Sequence, residues 1–174
     1  MFEGWGEFYL MAGSAAAVLI GLIFVVISLM QDRSRASVLF GSRLYMGPIV
    51  LHMSFVLVIS GAALAPGTGA GEFAALSGAI AIWGLARGLI STVGIHRLGG
   101  SEDQPHWTDV WFYGFVPSFI YLVLGAVALA FTNGVQWAAH GVAVVVIALI
   151  LLSVRNEWDL VTWLAPKADH ALQD

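Results

Sequence analysis

Residues 72–95 read EFAALSGAIAIWGLARGLISTVGI, and this stretch decides the fold that we expect for the chain. It is apolar and longer than the ~20 residues that a helix needs to cross the ~30 Å hydrocarbon core of a bilayer. Arg87 nevertheless lies well inside the apolar run. A charge at that depth is costly and rare. The stretch therefore predicts a membrane-spanning helix whose arginine the rest of the molecule has to accommodate.

The composition indicates that lipid is the natural solvent of the whole chain. Of its 174 residues, 59% are hydrophobic and 10% are charged, whereas soluble domains carry about 25% charged residues. The net charge is −4 and the basic residues form no patch, which argues against a nucleic-acid partner. The absence of cysteine excludes disulfides, thiolate metal sites and cysteine nucleophiles.

The hydrophobic pattern predicts an all-α membrane bundle. Five apolar stretches are each near the required length, at 8–30, 48–65, 72–95, 111–131 and 136–154. Backbone polar groups in lipid must pair within their own segment, so all five are expected to be helices. The first lacks a preceding basic region and is too long for a signal-peptide core, so we expect it to be retained. Residues 1–165 then form one transmembrane domain, followed by a tail at 166–174.

The basic residues predict the orientation of the bundle in the membrane. Those outside the spans lie in the first loop, in the third loop or after the fifth span: Arg33, Arg35, Arg43, Arg97, Arg155 and Lys167. Because lysine and arginine accumulate on the cytoplasmic side, the N-terminus is expected outside and the C-terminus inside.

Three local features refine this outline. The segment between the first two spans, QDRSRASVLFGSRLYMG, is too polar to cross and predicts a short interfacial helix. Pro117 cannot donate a hydrogen bond to Tyr113, so we expect a kink near the inner end of the fourth span. After the fifth span, Val154, Trp158, Val161 and Ala165 recur at helical spacing, so the last helix should continue to about residue 165.

Small residues recur four apart on two of the predicted helices. They are Gly13, Ala17 and Gly21 on the first, and Gly84 and Gly88 on the third. Such spacing lets helix backbones approach closely in lipid, so we expect the first and third spans to cross. The simpler interpretation is that glycine and alanine are common in membrane helices.

Arg87, His52 and Trp83 are the candidate ligand or pore residues. Arg87 and His52 both fall in the inner half of the membrane, where they would line a polar pocket that holds an anion. Trp83 lies one turn from Arg87 on the same helix face, which suits a cation–π contact. The competing interpretations are an arginine that reaches the interface and a histidine with a structural role.

Other polar residues give weaker signals. Haem ligation by His52 and His96 has poor geometry because His96 lies almost in the headgroups, and His140 lies near the opposite surface. The third loop contains Glu102, Asp103, His106 and Asp109, which we interpret as a solvated acidic loop rather than a metal site. We therefore expect no metal and no cofactor.

A compact polar group follows the fifth span. Arg155 and Asp159 are one helical turn apart and can form an ion pair. Together with Asn156 and Trp158 they form a predicted cap at the inner interface, where it anchors the helix or docks on another protein.

The first span AGSAAAVLIGLIFVVISL, the run GPIVLHMSFVLVISGAALAP and the tail RNEWDLVTWLA resemble a group of short, uncharacterised multi-pass proteins of bacteria. The resemblance covers most of the chain and implies a bacterial inner-membrane location. It transfers no functional residues.

The sequence favours a non-enzymatic function. It contains no nucleotide-binding loop, zinc-protease pair or nucleophile elbow, and no carboxylate pair inside the membrane. We expect a protein that acts by association, either with itself or as an accessory or regulatory subunit of a membrane complex. The alternative is an oligomeric channel or small-anion permease in which Arg87 and His52 line an inner vestibule.

Overall fold

Five helices account for the architecture of the described residues. A computed structural model describes residues 2–29, 46–98 and 110–164, and no strand occurs in these ranges. The helices are α1 (Gly6–Leu29), α2 (Gly47–Leu64), α3 (Ala70–Leu98), α4 (Val116–Thr132) and α5 (Ala138–Leu164). A π-helical turn, Trp111–Phe115, leads directly into α4. The prediction of an all-α bundle with five helices is confirmed.

Each helix, counting the π-helical turn with α4, is long and apolar enough to cross a membrane. The bounds differ from the predicted spans by a few residues, and α5 continues without a break to Leu164, as the sequence indicated. The predicted interfacial helix, except for its last two residues, and the tail at 166–174 lie outside the described residues.

The helices pack as two pairs with α5 between them. α1 lies against α2, and α3 lies against α4, while α5 contacts α4, α2 and α1. The first and third helices form no substantial interface within the described ranges. The prediction that they cross is therefore wrong. The first helix instead packs against the second, and the third against the fourth.

Aromatic rings close the end of the bundle at which α1 begins, here called the N-terminal end. The Phe2 ring lies 5.1 Å from Tyr9, 4.7 Å from Phe73 and 5.6 Å from Phe131, measured between centroids. Gly4 has a φ of 78°, which turns the chain back so that Phe2 can reach these rings. The residues before α1 are thus part of the packed structure. We call the cluster of these four rings, Phe2, Tyr9, Phe73 and Phe131, the aromatic cap.

A π-helical turn lies directly before Pro117, the residue at which we expected a kink. The backbone N–H of Val116 donates to the carbonyl of Trp111, five residues earlier. This wide turn places Pro117 at the start of the regular helix, where its missing N–H is tolerated. The structure therefore accommodates the proline with a π-helical turn, which is a known cause of irregularity in helices.

Candidate functional site

The centre of the bundle contains a buried pair of polar side chains. His52 of α2 has 4% of its surface exposed and Tyr121 of α4 has 1%. A hydrogen bond of 2.7 Å joins His52 Nδ1 to the Tyr121 hydroxyl. Nothing in the described chain pairs with His52 Nε2, which is also buried. Because ionisable side chains are costly inside a membrane, this pair is the first candidate for a function.

Gly84 of α3 determines the position of Tyr121. A β-carbon added at Gly84 would collide with the Tyr121 ring, so the ring lies directly against the α3 backbone. From there its hydroxyl reaches across to α2. Three helices therefore cooperate in one contact: α3 supplies the space, α4 supplies the phenol and α2 supplies the imidazole.

The same interface brings the backbones of α3 and α4 together along two further turns. A side chain at Gly88 would meet Ser118, and a side chain at Gly114 would meet Thr92. Both hydroxyls donate to carbonyls of their own helices, Ser118 to Gly114 and Thr92 to Gly88. Gly84 and Gly88 thus lie in a close helix contact, but with α4 rather than with the first helix.

Arg87 lies on the outside of the bundle. Because Gly84 and Gly88 face α4, Arg87 and Trp83 are turned outward, and both are exposed. The structure does not bring Arg87 together with the buried His52, so the described part of one chain forms no vestibule lined by both. No described side chain forms an ion pair, hydrogen bond or cation–π contact with Arg87.

The small residues of α1 divide between two environments. Gly13 is buried, and a β-carbon there would lie 3.2 Å from the Ser60 β-carbon of α2. Ala17 and Gly21 are exposed, and no other part of the described chain lies within 4 Å of a β-carbon at Gly21. Only Gly13 therefore serves packing within the bundle. The other two lie on a face of α1 that is open to lipid or to a neighbouring molecule.

The polar cap after the fifth predicted span is formed by contacts that the structure describes. Arg155 and Asp159 make an ion pair of 2.7 Å, and both side chains are about one-third exposed. The Arg155 guanidinium also lies 3.4 Å from the centre of the Phe112 ring and donates to Asn156 Oδ1 over 3.3 Å. The cap therefore fastens α5 to the π-helical turn that precedes α4.

The side of this polar cap that faces the bundle interior contains buried polar atoms. The Tyr113 hydroxyl donates to the Asn156 carbonyl over 3.5 Å. Asn156 Nδ2 and Glu157 Oε1 are buried and lack a hydrogen-bond partner in the described ranges. Trp158, by contrast, is 70% exposed and points outward with Val154 and Val161. The role of Trp158 as an anchor at the membrane interface stays a prediction.

The remaining histidines and acidic residues form no cluster in the described chain. His140 is exposed, and its ring lies 4.9 Å from Trp5 at the N-terminal end. No group of three histidine or acidic residues that suits a metal ion occurs in the ranges that the structure describes. The third-loop residues Glu102, Asp103, His106 and Asp109 lie outside those ranges, and the side chain of His96 is not described.

Two residues of the site were not predicted from the sequence. Tyr121 offered a signal, because a tyrosine in the middle of an apolar span usually needs a hydrogen-bond partner for its hydroxyl. Phe112 offered none, since a phenylalanine near a span end resembles any other apolar residue.

Comparison with known proteins identifies no relative of this chain. No protein-family model, curated protein or solved structure matches this chain.

Proposed function

We propose that this protein is a non-enzymatic membrane protein that acts by association, through the outward face of α1. It would assemble with itself or serve as an accessory or regulatory subunit of a larger membrane complex. The bacterial inner membrane is the proposed location, with the N-terminus outside and the C-terminus inside. The distribution of basic residues supports this orientation.

The observation that carries the proposal is the open side of α1. In the membrane-spanning window of α1, 22% of the residues are buried, compared with 50% in those of α4 and α5. The open face combines large apolar side chains with small ones, namely Leu10, Met11, Ser14, Ala17, Val18, Gly21, Phe24 and Val25. Small residues among large ones allow a second helix to approach closely, which is the main attraction between helices in lipid.

The second outward feature is Arg87. Because it faces away from the bundle, its guanidinium is available to a neighbouring molecule or to the headgroups, and not to an interior site. The lack of a catalytic motif in the sequence supports the non-enzymatic part of the proposal.

Cysteine cross-linking in native membranes tests the association. The chain has no cysteine, so a single substitution gives an unambiguous label. We expect Ala17→Cys to form a disulfide-linked dimer under mild oxidation. Leu122→Cys is the matched control, because Leu122 is 59% exposed on α4 and lies at a similar depth.

Two further measurements decide the outcome. Ala17→Phe has no cysteine to cross-link, so its dimer fraction is measured on the purified protein. That fraction should be at least several-fold lower than in the wild type, since a large ring prevents close helix approach. The proposal is wrong if both cysteine variants cross-link equally and the purified protein is monomeric without a copurifying partner.

A further inference from the structure

The His52–Tyr121 pair belongs to a larger set of buried polar atoms. Besides His52 Nε2, the bundle interior contains hydroxyl and amide groups that lack a partner in the described chain: Tyr9 Oη, Ser60 Oγ, Ser77 Oγ, Ser153 Oγ and Asn156 Nδ2. Each of these residues is buried. Polar atoms that are removed from solvent are nearly always hydrogen-bonded, and ordered water supplies the partner where the protein does not.

These groups are spread over the thickness of the bundle. With a rise of ~1.5 Å per residue, Tyr9 and Ser60 lie about 5 Å from the N-terminal end of the bundle, and Ser77 lies about 10 Å from it. Tyr121 and His52 follow at about 16–18 Å, and Ser153 and Asn156 at about 22–27 Å. The similar depths calculated for Tyr121 and His52 agree with the hydrogen bond between them. All five helices contribute to the series.

We propose that internal water connects these groups into a polar path and that His52 relays protons along it. The proposal is independent of the association through α1. In the tautomer that carries hydrogen on Nδ1, Nε2 accepts a proton from the adjoining water. Nδ1 then passes its own proton to the Tyr121 oxygen as the hydroxyl proton moves on to the next water. One proton enters and one leaves, and rotation of the imidazole ring then turns the newly protonated nitrogen toward Tyr121 and the bare nitrogen toward the water, so that the cycle can repeat.

The two ends of this path differ. The groups nearest the N-terminal end lie beneath the aromatic cap, where Phe2, Phe73 and Phe131 meet. Apolar rings exclude water, so this end limits proton entry. At the opposite end, Asn156 accepts a hydrogen bond from Arg155, which pairs with Asp159, and both charged side chains are partly exposed.

Reconstitution of the full chain in liposomes tests the relay. Liposomes that contain a fluorescent pH dye are given a potassium diffusion potential with valinomycin, and internal acidification is followed. We expect wild-type protein to acidify the interior several-fold faster than protein-free liposomes. His52→Gln, which retains hydrogen-bonding capacity but cannot carry the proton, should reduce the rate to the protein-free level.

Two variants control for indirect effects. Tyr121→Phe removes the hydroxyl next to Nδ1 and should slow acidification about tenfold or more. His140→Gln makes the same substitution at an exposed histidine and should leave the rate unchanged. The relay is excluded if His52→Gln conducts as wild type does, or if wild type is no faster than protein-free liposomes.

A measurement on the wild-type chain covers the case in which His52→Gln does not fold. Leu51–His52 is the only Leu–His pair in the sequence, so ¹³C-carbonyl leucine with uniformly ¹³C,¹⁵N-labelled histidine identifies the His52 amide and, through the histidine carbons, its ring nitrogens. Solid-state NMR in bilayers should show magnetisation transfer from water to His52 Nε2. Absence of that transfer would rule out the hydrated path.

Discussion

The ring of Tyr121 lies in the space that a side chain at Gly84 would occupy. This contact joins α3 to α4 and places the Tyr121 hydroxyl 2.7 Å from His52 Nδ1. One glycine thereby determines both a helix interface and the geometry of the buried polar pair.

We predict that Gly84→Ala destabilises the protein by about 1–3 kcal/mol, because the added methyl group must displace a packed ring. Gly78→Ala on the same helix is the control, since no other part of the described chain lies within 4 Å of a β-carbon there. Thermal unfolding in detergent should show a lower midpoint for the first variant only. Equal midpoints would mean that Tyr121 can move without cost.

Arg155 is predicted to act through the shape of its guanidinium as well as through its charge. Arg155→Lys keeps the positive charge opposite Asp159 but removes the planar group that lies over Phe112. We expect a loss of about 1 kcal/mol from the cation–π contact. Asp159→Asn should cost less, because exposed ion pairs contribute about 0–1 kcal/mol. The reverse order in chemical or thermal unfolding would show that the ion pair dominates.

The general architecture was predictable because a single physical requirement governs it. Backbone groups in lipid must be paired internally, so each apolar stretch of sufficient length had to be a helix. The continuation of α5 past residue 154 followed from the spacing of Trp158 and Val161. Helix neighbours were harder to predict, since small residues such as Gly13, Gly21 and Gly84 show that close approach is possible without showing to which helix.

The candidate site was only partly predictable for a related reason. The sequence gives the depth of His52 and of Arg87 but not the rotation of their helices about their own axes. In the structure the contacts of Gly84 and Gly88 with α4 set the rotation of α3 and turn Arg87 outward. The depth of a residue in the membrane follows from its position along the chain, whereas the direction in which its side chain points depends on the helix that packs against it.

Removal of the charge at Arg87 should leave the folded bundle intact. Arg87 has no partner among the described side chains, so Arg87→Leu is expected to keep or raise the unfolding midpoint. Arg155→Leu, which removes an ion pair and a ring contact, should lower it. A lower midpoint for Arg87→Leu would reveal a stabilising contact of the guanidinium.

The aromatic cap should contribute measurably to stability. Phe2→Ala removes ring contacts with Tyr9, Phe73 and Phe131, and because Phe2 is only partly buried we expect a loss of about 1–2 kcal/mol. Glu3→Ala, at an exposed neighbouring position, should have no effect. Unfolding followed by tryptophan fluorescence provides the comparison. No difference between the variants would show that the cap is dispensable.

The predicted orientation can be checked with single cysteines. Thr68→Cys lies in the connection between α2 and α3, and Ser101→Cys lies in the third loop with the predicted cytoplasmic residues. A membrane-impermeant maleimide should label the first in intact cells and the second only after permeabilisation. The opposite pattern would invert the proposed topology.

The wide turn at Trp111–Phe115 sets the rotation, about the helix axis, of the residues in the turn relative to those of α4. An α-helix rotates by about 100° per residue, so loss of Gly114 or Phe115 would rotate Tyr113 about the helix axis, away from the Asn156 carbonyl. Tyr121, which follows the turn, would keep its place beside His52. A deletion in this turn can therefore change the contact between Tyr113 and Asn156 near one membrane surface and leave the hydrogen bond between His52 and Tyr121 near the midplane unchanged.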